Sequence, residues 1–323
     1  MSMFLRPLLA ALPFCMPALA QRGPLPVEKT ATLRDDLGLY TVEGRQRIRG
    51  NVKLKGLRAC TIQGVGEGAV LEVEGLLDLR AATGGEVVIE GVWIEPLPGC
   101  KGISLRNTRF EGEGGIRTHE GEPVDAEVLL EATHFRDGSR LDLALIGGGV
   151  ELLSCASSAP VALRGLTGDK QKPNRLRVEI KDCAGKPGGL AGGLEVRGVH
   201  QVAVRHTNLG GELCLLADNG ELEFYGNLGR SQRIEFRQSE PGSFRTTKIG
   251  GTDFSCRELL LIQPAGSGDP EKARLDNCWF DDRVEPADIK EHQLSDFERD
   301  PTNGVLAIFA RIQERPLGYA AGG

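Results

Sequence analysis

The chain has 323 residues, a formal charge of −6, 44 glycines and only 5% aromatic residues. Such a composition argues against a packed helical protein, and an acidic chain without a basic run argues against nucleic-acid binding, whose affinity rests on Lys and Arg meeting phosphate. The length accommodates two ordinary domains or one long one.

The first twenty residues, MSMFLRPLLAALPFCMPALA, carry one Arg, an apolar middle, and Ala18-Leu19-Ala20 before Gln21. This is the pattern of a secretory signal peptide over 1–20, cleaved near Ala20, which predicts a secreted, periplasmic or cell-surface protein. Cys15 follows Phe14 rather than a small residue, which argues against a lipoprotein signal. No later stretch reaches the roughly 18 unbroken apolar residues of a membrane span, so the chain is not expected to span one. Residues 21–40 are predicted to form an N-terminal cap, with a short helix over 24–38.

From residue 41 to 285 one phrase recurs. Written as apolar-x-apolar-x-turn-Thr/Cys, it appears as ISLRNT (from 103), VLLEAT (128), VELLSC (150), VEIKDC (178), VAVRHT (202), LEFYGN (222), TKIGGT (247) and ARLDNC (273). Looser copies are VKLKGL (52), LEVEGL (71) and a Val87-x-Ile89-x-Gly91 run. A period in the low twenties built from short alternating strands marks a solenoid whose coils stack on one another. No regular Leu ladder is present, so the expected fold is all-β: a single-stranded parallel β-helix of about ten coils.

The fifth slot holds Asn107, Ala132, Ser154, Asp182, His206, Gly226, Gly251 and Asn277. Most of these are the types that accept a left-handed backbone, so the strand should end there in a tight bend. The next slot is almost always Thr or Cys, small enough for a crowded interior. Phe110, Phe135, Leu209, Phe254 and Phe280 follow two positions later as an apolar stack. Cys155 and Cys183 share a slot in neighbouring coils, which places them about 5 Å apart. No C-x-x-C and no Cys/His cluster with zinc spacing occurs, so the cysteines read as buried thiols and no metal site is predicted.

Residues 286–323 read as a C-terminal cap and tail. The closing segment NCWFDDRVEPADIKEHQLSDFERDPTNGVLAIF resembles that of many exported bacterial right-handed β-helix proteins of the pectate-lyase-like superfamily. The resemblance runs through Asn277, Trp279, Pro286, Ala287, Ile289, Asp296, Asp300 and Pro301. It departs at Phe280, where the family has Gly, and at Glu285 and Arg299, where Asp is usual. It implies the fold with its right hand, a single-stranded right-handed parallel β-helix, as well as export and a final apolar strand; members sharing this ending differ widely in activity.

Residues between the inward apolar positions point to solvent, and stacking collects them into a face. The middle coils are expected to present Glu151, Glu179, Lys181, Arg205 and Glu223 as candidate catalytic groups, with Tyr225, Arg106 and Glu131 as candidate substrate-binding groups. Pectate lyases and polygalacturonases carry their active groups on such a face. A lyase needs carboxylates for calcium and an Arg or Lys to take a proton, and a hydrolase needs two carboxylates roughly 5 to 9.5 Å apart. The more specific polygalacturonase phrases are missing; only Asp281-Asp282 remains. His119-Glu120 reads as a surface loop, and the glycines of GVGEG (64–68) and GKPGGLAGG (185–193) read as turn glycines. The leading expectation is a non-catalytic protein whose partner is a polysaccharide or another envelope component, with no cofactor. A lyase or glycoside hydrolase acting on an acidic glycan, calcium-dependent if a lyase, and a purely structural rod or adhesin remain alternatives. Long loops around 113–126 or 166–176 would favour the enzyme, and a smooth rod the binder.

Overall fold

Runs with an apolar residue at every second position bury one row of side chains and expose the other, and in this chain they stack as a parallel β-solenoid. The structure is a computed structural model that describes residues 22–24, 31–33, 38–54, 59–81, 84–119, 123–166, 174–184, 189–237, 246–254, 256, 258–262, 273–276, 279–280 and 305–308. Every regular element among them is a strand. The signal-peptide segment 1–20 and most of the closing segment lie outside the described residues.

Each coil has three sides. One turn reads Gln201–Arg205 on face 1, Asn208–Leu209 on face 2, Leu213–Ala217 on face 3, and returns to face 1 at Glu221–Tyr225. Equivalent strands of successive coils pair in parallel, as in Val202↔Leu222, Asn208↔Leu228 and Cys214↔Ile234. The face 1 ladder runs through Ala31–Leu33, Asn51–Leu54, Leu76–Arg80, Gly102–Glu111, Asp125–Phe135, Gly147–Leu153, Arg177–Lys181, Gln201–Arg205, Glu221–Tyr225, Thr246–Gly250 and Ala273–Asp276.

This ladder corrects part of the repeat reading. Of the three loose copies, only the one at Val52 lies on face 1. LEVEGL belongs to face 3, where Leu71 pairs with Ile94, and the Val87-x-Ile89 run belongs to face 2. The rung between Val52 and Ile103 is Leu77-x-Leu79. All three faces alternate with the same period of two, so the pattern shows that a residue points inward without showing onto which side. The helix expected over 24–38 is likewise replaced at Ala31–Leu33 by a strand of the ladder.

The corner between faces 1 and 2 bears out the bend reading. Asn107, Ala132, Ser154, Asp182, His206, Gly226 and Gly251 all have φ between 46° and 65°. Beneath them Thr108, Thr133, Cys155, Cys183, Thr207, Asn227 and Thr252 form a buried column. Small size is only half of what selects these residues. The Thr207 and Thr252 hydroxyls donate to the carbonyls two residues back, Arg205 O at 2.9 Å and Gly250 O at 3.0 Å, and the Cys183 thiol donates to Lys181 O at 3.4 Å. A side-chain donor thus satisfies a carbonyl of the strand end next to the bend. Asn227 does so differently, donating to Val204 O at 2.9 Å and accepting from Thr207 N at 3.0 Å.

Inside, Phe110 and Phe135 stack at 4.8 Å with nearly parallel rings. Cys155 and Cys183 do occupy neighbouring coils, with the Cys155 amide 3.3 Å from the Cys183 sulfur, and both are free thiols. Burial pushes the Cys60 and Cys214 thiols up to about 12. On face 3 the strand Val305–Ile308 pairs antiparallel with Glu258–Ile262 and ends the parallel stack.

Candidate functional site

Three outward columns run along face 1, and their register is set by the ladder. The column through Ser104, Leu129, Glu151, Glu179, Ala203 and Glu223 lies beside one through Arg106, Glu131, Leu153, Lys181, Arg205 and Tyr225. The expected site residues therefore do share one face. They divide, however, into separate groups.

Glu151 and Glu179 are direct cross-strand neighbours. Glu179 and Glu223 stand two rungs apart with Ala203 between them. That small side chain leaves room for Arg205 to lie across the gap. Its Nε and Nη2 donate to the two oxygens of Glu223 at 3.1 and 2.6 Å, and its Nη1 donates to Glu179 Oε1 at 3.4 Å. Arg106 and Glu131 form their own pair at 2.6 Å, away from this network. Tyr225 is exposed, and its ring lies over Gly251 of the next coil, where a Cβ would come within 3.1 Å of it.

A groove of about 390 Å³ opens on the same face, and its centre is displaced from the expected site. It is lined by Glu151, Glu179 and Arg205, but Lys181, Glu223, Tyr225, Arg106 and Glu131 do not line it. The third outward column supplies Gly102, Glu127, Gly149, Arg177 and Gln201 to the lining. Two glycines in this column leave the floor low, and the Glu127 carboxylate lies over Gly149, 2.5 Å from where a Cβ would stand. Spanning six rungs from Leu76 to Arg205, the groove extends ~24 Å along the rod. Sequence reasoning missed this column because it precedes the repeated phrase; the same alternation, carried one residue earlier, would have found it.

The electrostatics bear on acid–base chemistry. The Glu223 hydrogen bonds raise the Arg205 guanidinium above its already high ordinary value, and Arg205 in turn holds the Glu223 carboxyl below the usual carboxylate range. A guanidinium so held is a poor proton acceptor, and a carboxyl so held is a poor general acid near neutral pH. The calcium implied by a lyase also fits poorly. Arg205 fills the space between Glu179 and Glu223, and among the described residues no three His, Cys, Asp or Glu side chains come together as metal ligands.

The other candidates have structural roles. His206 Nδ1 sits 3.2 Å from Asp182 Oδ1, both at left-handed corner positions of adjacent coils. Gly66, Gly68 and Gly189 have positive φ, as turn glycines do. The 113–126 stretch is mostly wall: Gly114–Arg117 is a rung of face 3, and Asp125 already begins the next face 1 strand. Residues 120–122 and 167–173, with Glu120 and most of the second loop, lie outside the described residues. No protein-family model, curated protein or solved structure matches the chain.

Proposed function

We propose that this chain is an exported β-helix protein of pectate-lyase-like type whose face 1 contacts a polysaccharide or another envelope component without cleaving it. The observation that carries this reading is the open groove across six rungs, with charges of both signs along it and the arginine at its far end held in ion pairs. Such a surface offers hydrogen-bond donors and acceptors at the ~4.8 Å spacing of the strands, comparable to one sugar ring of an extended chain. Pinned charges favour positioning a ligand over transferring protons. Export rests on the signal-peptide pattern of the first twenty residues, and the superfamily on the closing segment.

The test is to incubate the purified chain with acidic and neutral polysaccharides, with and without calcium, following reducing ends, unsaturated products and retention on insoluble glycan. Retention without turnover, weakened at least fivefold in Arg177→Ala, is the expected result. Turnover abolished in Arg205→Ala would replace this reading with the lyase or hydrolase one. Neither turnover nor retention would leave a structural rod.

A further inference from the structure

Face 3 carries a second cluster that plays no part in the groove. Trp93 points outward in the column Val70, Trp93, Gly115, Arg140, yet only 8% of it is accessible. Two guanidinium groups cover it, Arg117 at 4.3 Å and Arg140 at 5.3 Å from the ring centroid. Gly115 makes this possible, because any side chain there would collide with the Arg140 backbone.

The two arginines differ in their other contacts. Arg117 is anchored: its Nε and Nη2 both reach Glu95 Oε1 at 2.8 Å. Glu95, 1% exposed, is held from the opposite side by Arg45, whose Nη2 donates to Oε2 at 2.8 Å. Arg45 and Arg47 in turn share Glu72. Asp142, in register with Arg117, is 3.5 Å from Arg164. Arg140 has no carboxylate partner among the described residues, and its guanidinium carbon lies over the indole ring. On a chain of net charge −6, Arg45, Arg47, Arg117, Arg140 and Arg164 against Glu72, Glu95 and Asp142 make a local positive patch.

We infer that the Trp93–Arg117–Arg140 cluster is an oxyanion-binding site, taking a sulfate, phosphate or carboxylate group between the anchored Arg117 guanidinium and that of Arg140. A guanidinium already held against an aromatic face loses little freedom on gripping two oxygens of such a group. The site is independent of the reading of face 1. The oxyanion can be a free ion or a pendant group of an anionic polymer.

The chain has two tryptophans, so Trp279→Phe leaves Trp93 as the sole indole reporter. This variant is titrated with sodium sulfate and with dextran sulfate against sodium chloride at matched ionic strength. The expected result is a saturable change in Trp93 fluorescence that weakens at least tenfold when Arg140→Gln is added. Saturation by sulfate alone identifies a free-ion site, and saturation only by dextran sulfate identifies a pendant group; both uphold the inference. No saturation with either, an equal response to chloride, or a response unchanged by Arg140→Gln would overturn it. If Trp279→Phe fails to fold, calorimetric titration of the unaltered chain and of Arg140→Gln with the same probes decides the question.

Discussion

Faces 1 and 3 each place guanidinium groups among carboxylates, and they do so at opposite depths. On face 1, Arg205 joins Glu223 and Glu179, and all three remain about two-fifths exposed. On face 3, Arg45 and Arg117 close over Glu95, which water hardly reaches. The same kind of bond therefore does different work. A carboxylate removed from water must keep its partners, whereas an exposed one exchanges them for solvent at small cost. Face 3 is accordingly the better-fastened surface, and face 1 the more adaptable one.

The largest test of that contrast is Arg117→Ala. It takes a partner from the buried Glu95 carboxylate and should destabilise the protein by about 3 kcal/mol, read by urea denaturation. A loss no larger than that of an exposed pair would remove the distinction between the faces. Glu223→Ala should cost only about 0.5 kcal/mol by the same measurement, because its pair with Arg205 is exposed. Raising the salt concentration sharpens the contrast: at ~1 M the Debye length falls to ~3 Å, so the Glu223 effect should shrink while the Arg117 effect persists.

The smallest effect is the pH dependence of Glu223. Its folded carboxyl titrates below the ordinary glutamate value of roughly 4.3, because Arg205 favours the charged form. The stabilisation is therefore complete above that ordinary value and is lost as pH falls through the lowered one. Thermal melts of the unaltered protein and of Glu223→Gln should differ at pH 6 and converge in the acid range. A difference that grows on acidification would contradict the assigned direction.

How far the sequence could be read differs along each coil. The corner was fully legible: seven described bend residues adopt the left-handed conformation, and the Thr/Cys column beneath them is buried. What the repeat did not convey is that these small residues also donate to strand-end carbonyls, since a hydrogen bond depends on distances that a pattern does not contain. The site was legible only as a face. Glu151, Glu179 and Arg205 were correctly placed together, but the groove takes its shape from Gly102, Gly149 and Arg177, which lie just ahead of the repeated phrase.

The sequence by itself determined the alternation that buries every second side chain, the residues able to turn each corner, and hence a stacked β architecture. These are local properties, set by the pleat of a strand and the sterics of single residues. Only the tertiary structure decided which side of the coil a strand occupies, that the run at Leu71 belongs to face 3 while Leu77 continues face 1, that Arg205 lies across Ala203, and that Trp93 is covered by arginines one and two coils further on. Those facts depend on register between segments some twenty to twenty-eight residues apart, and register is settled by how whole coils settle on one another.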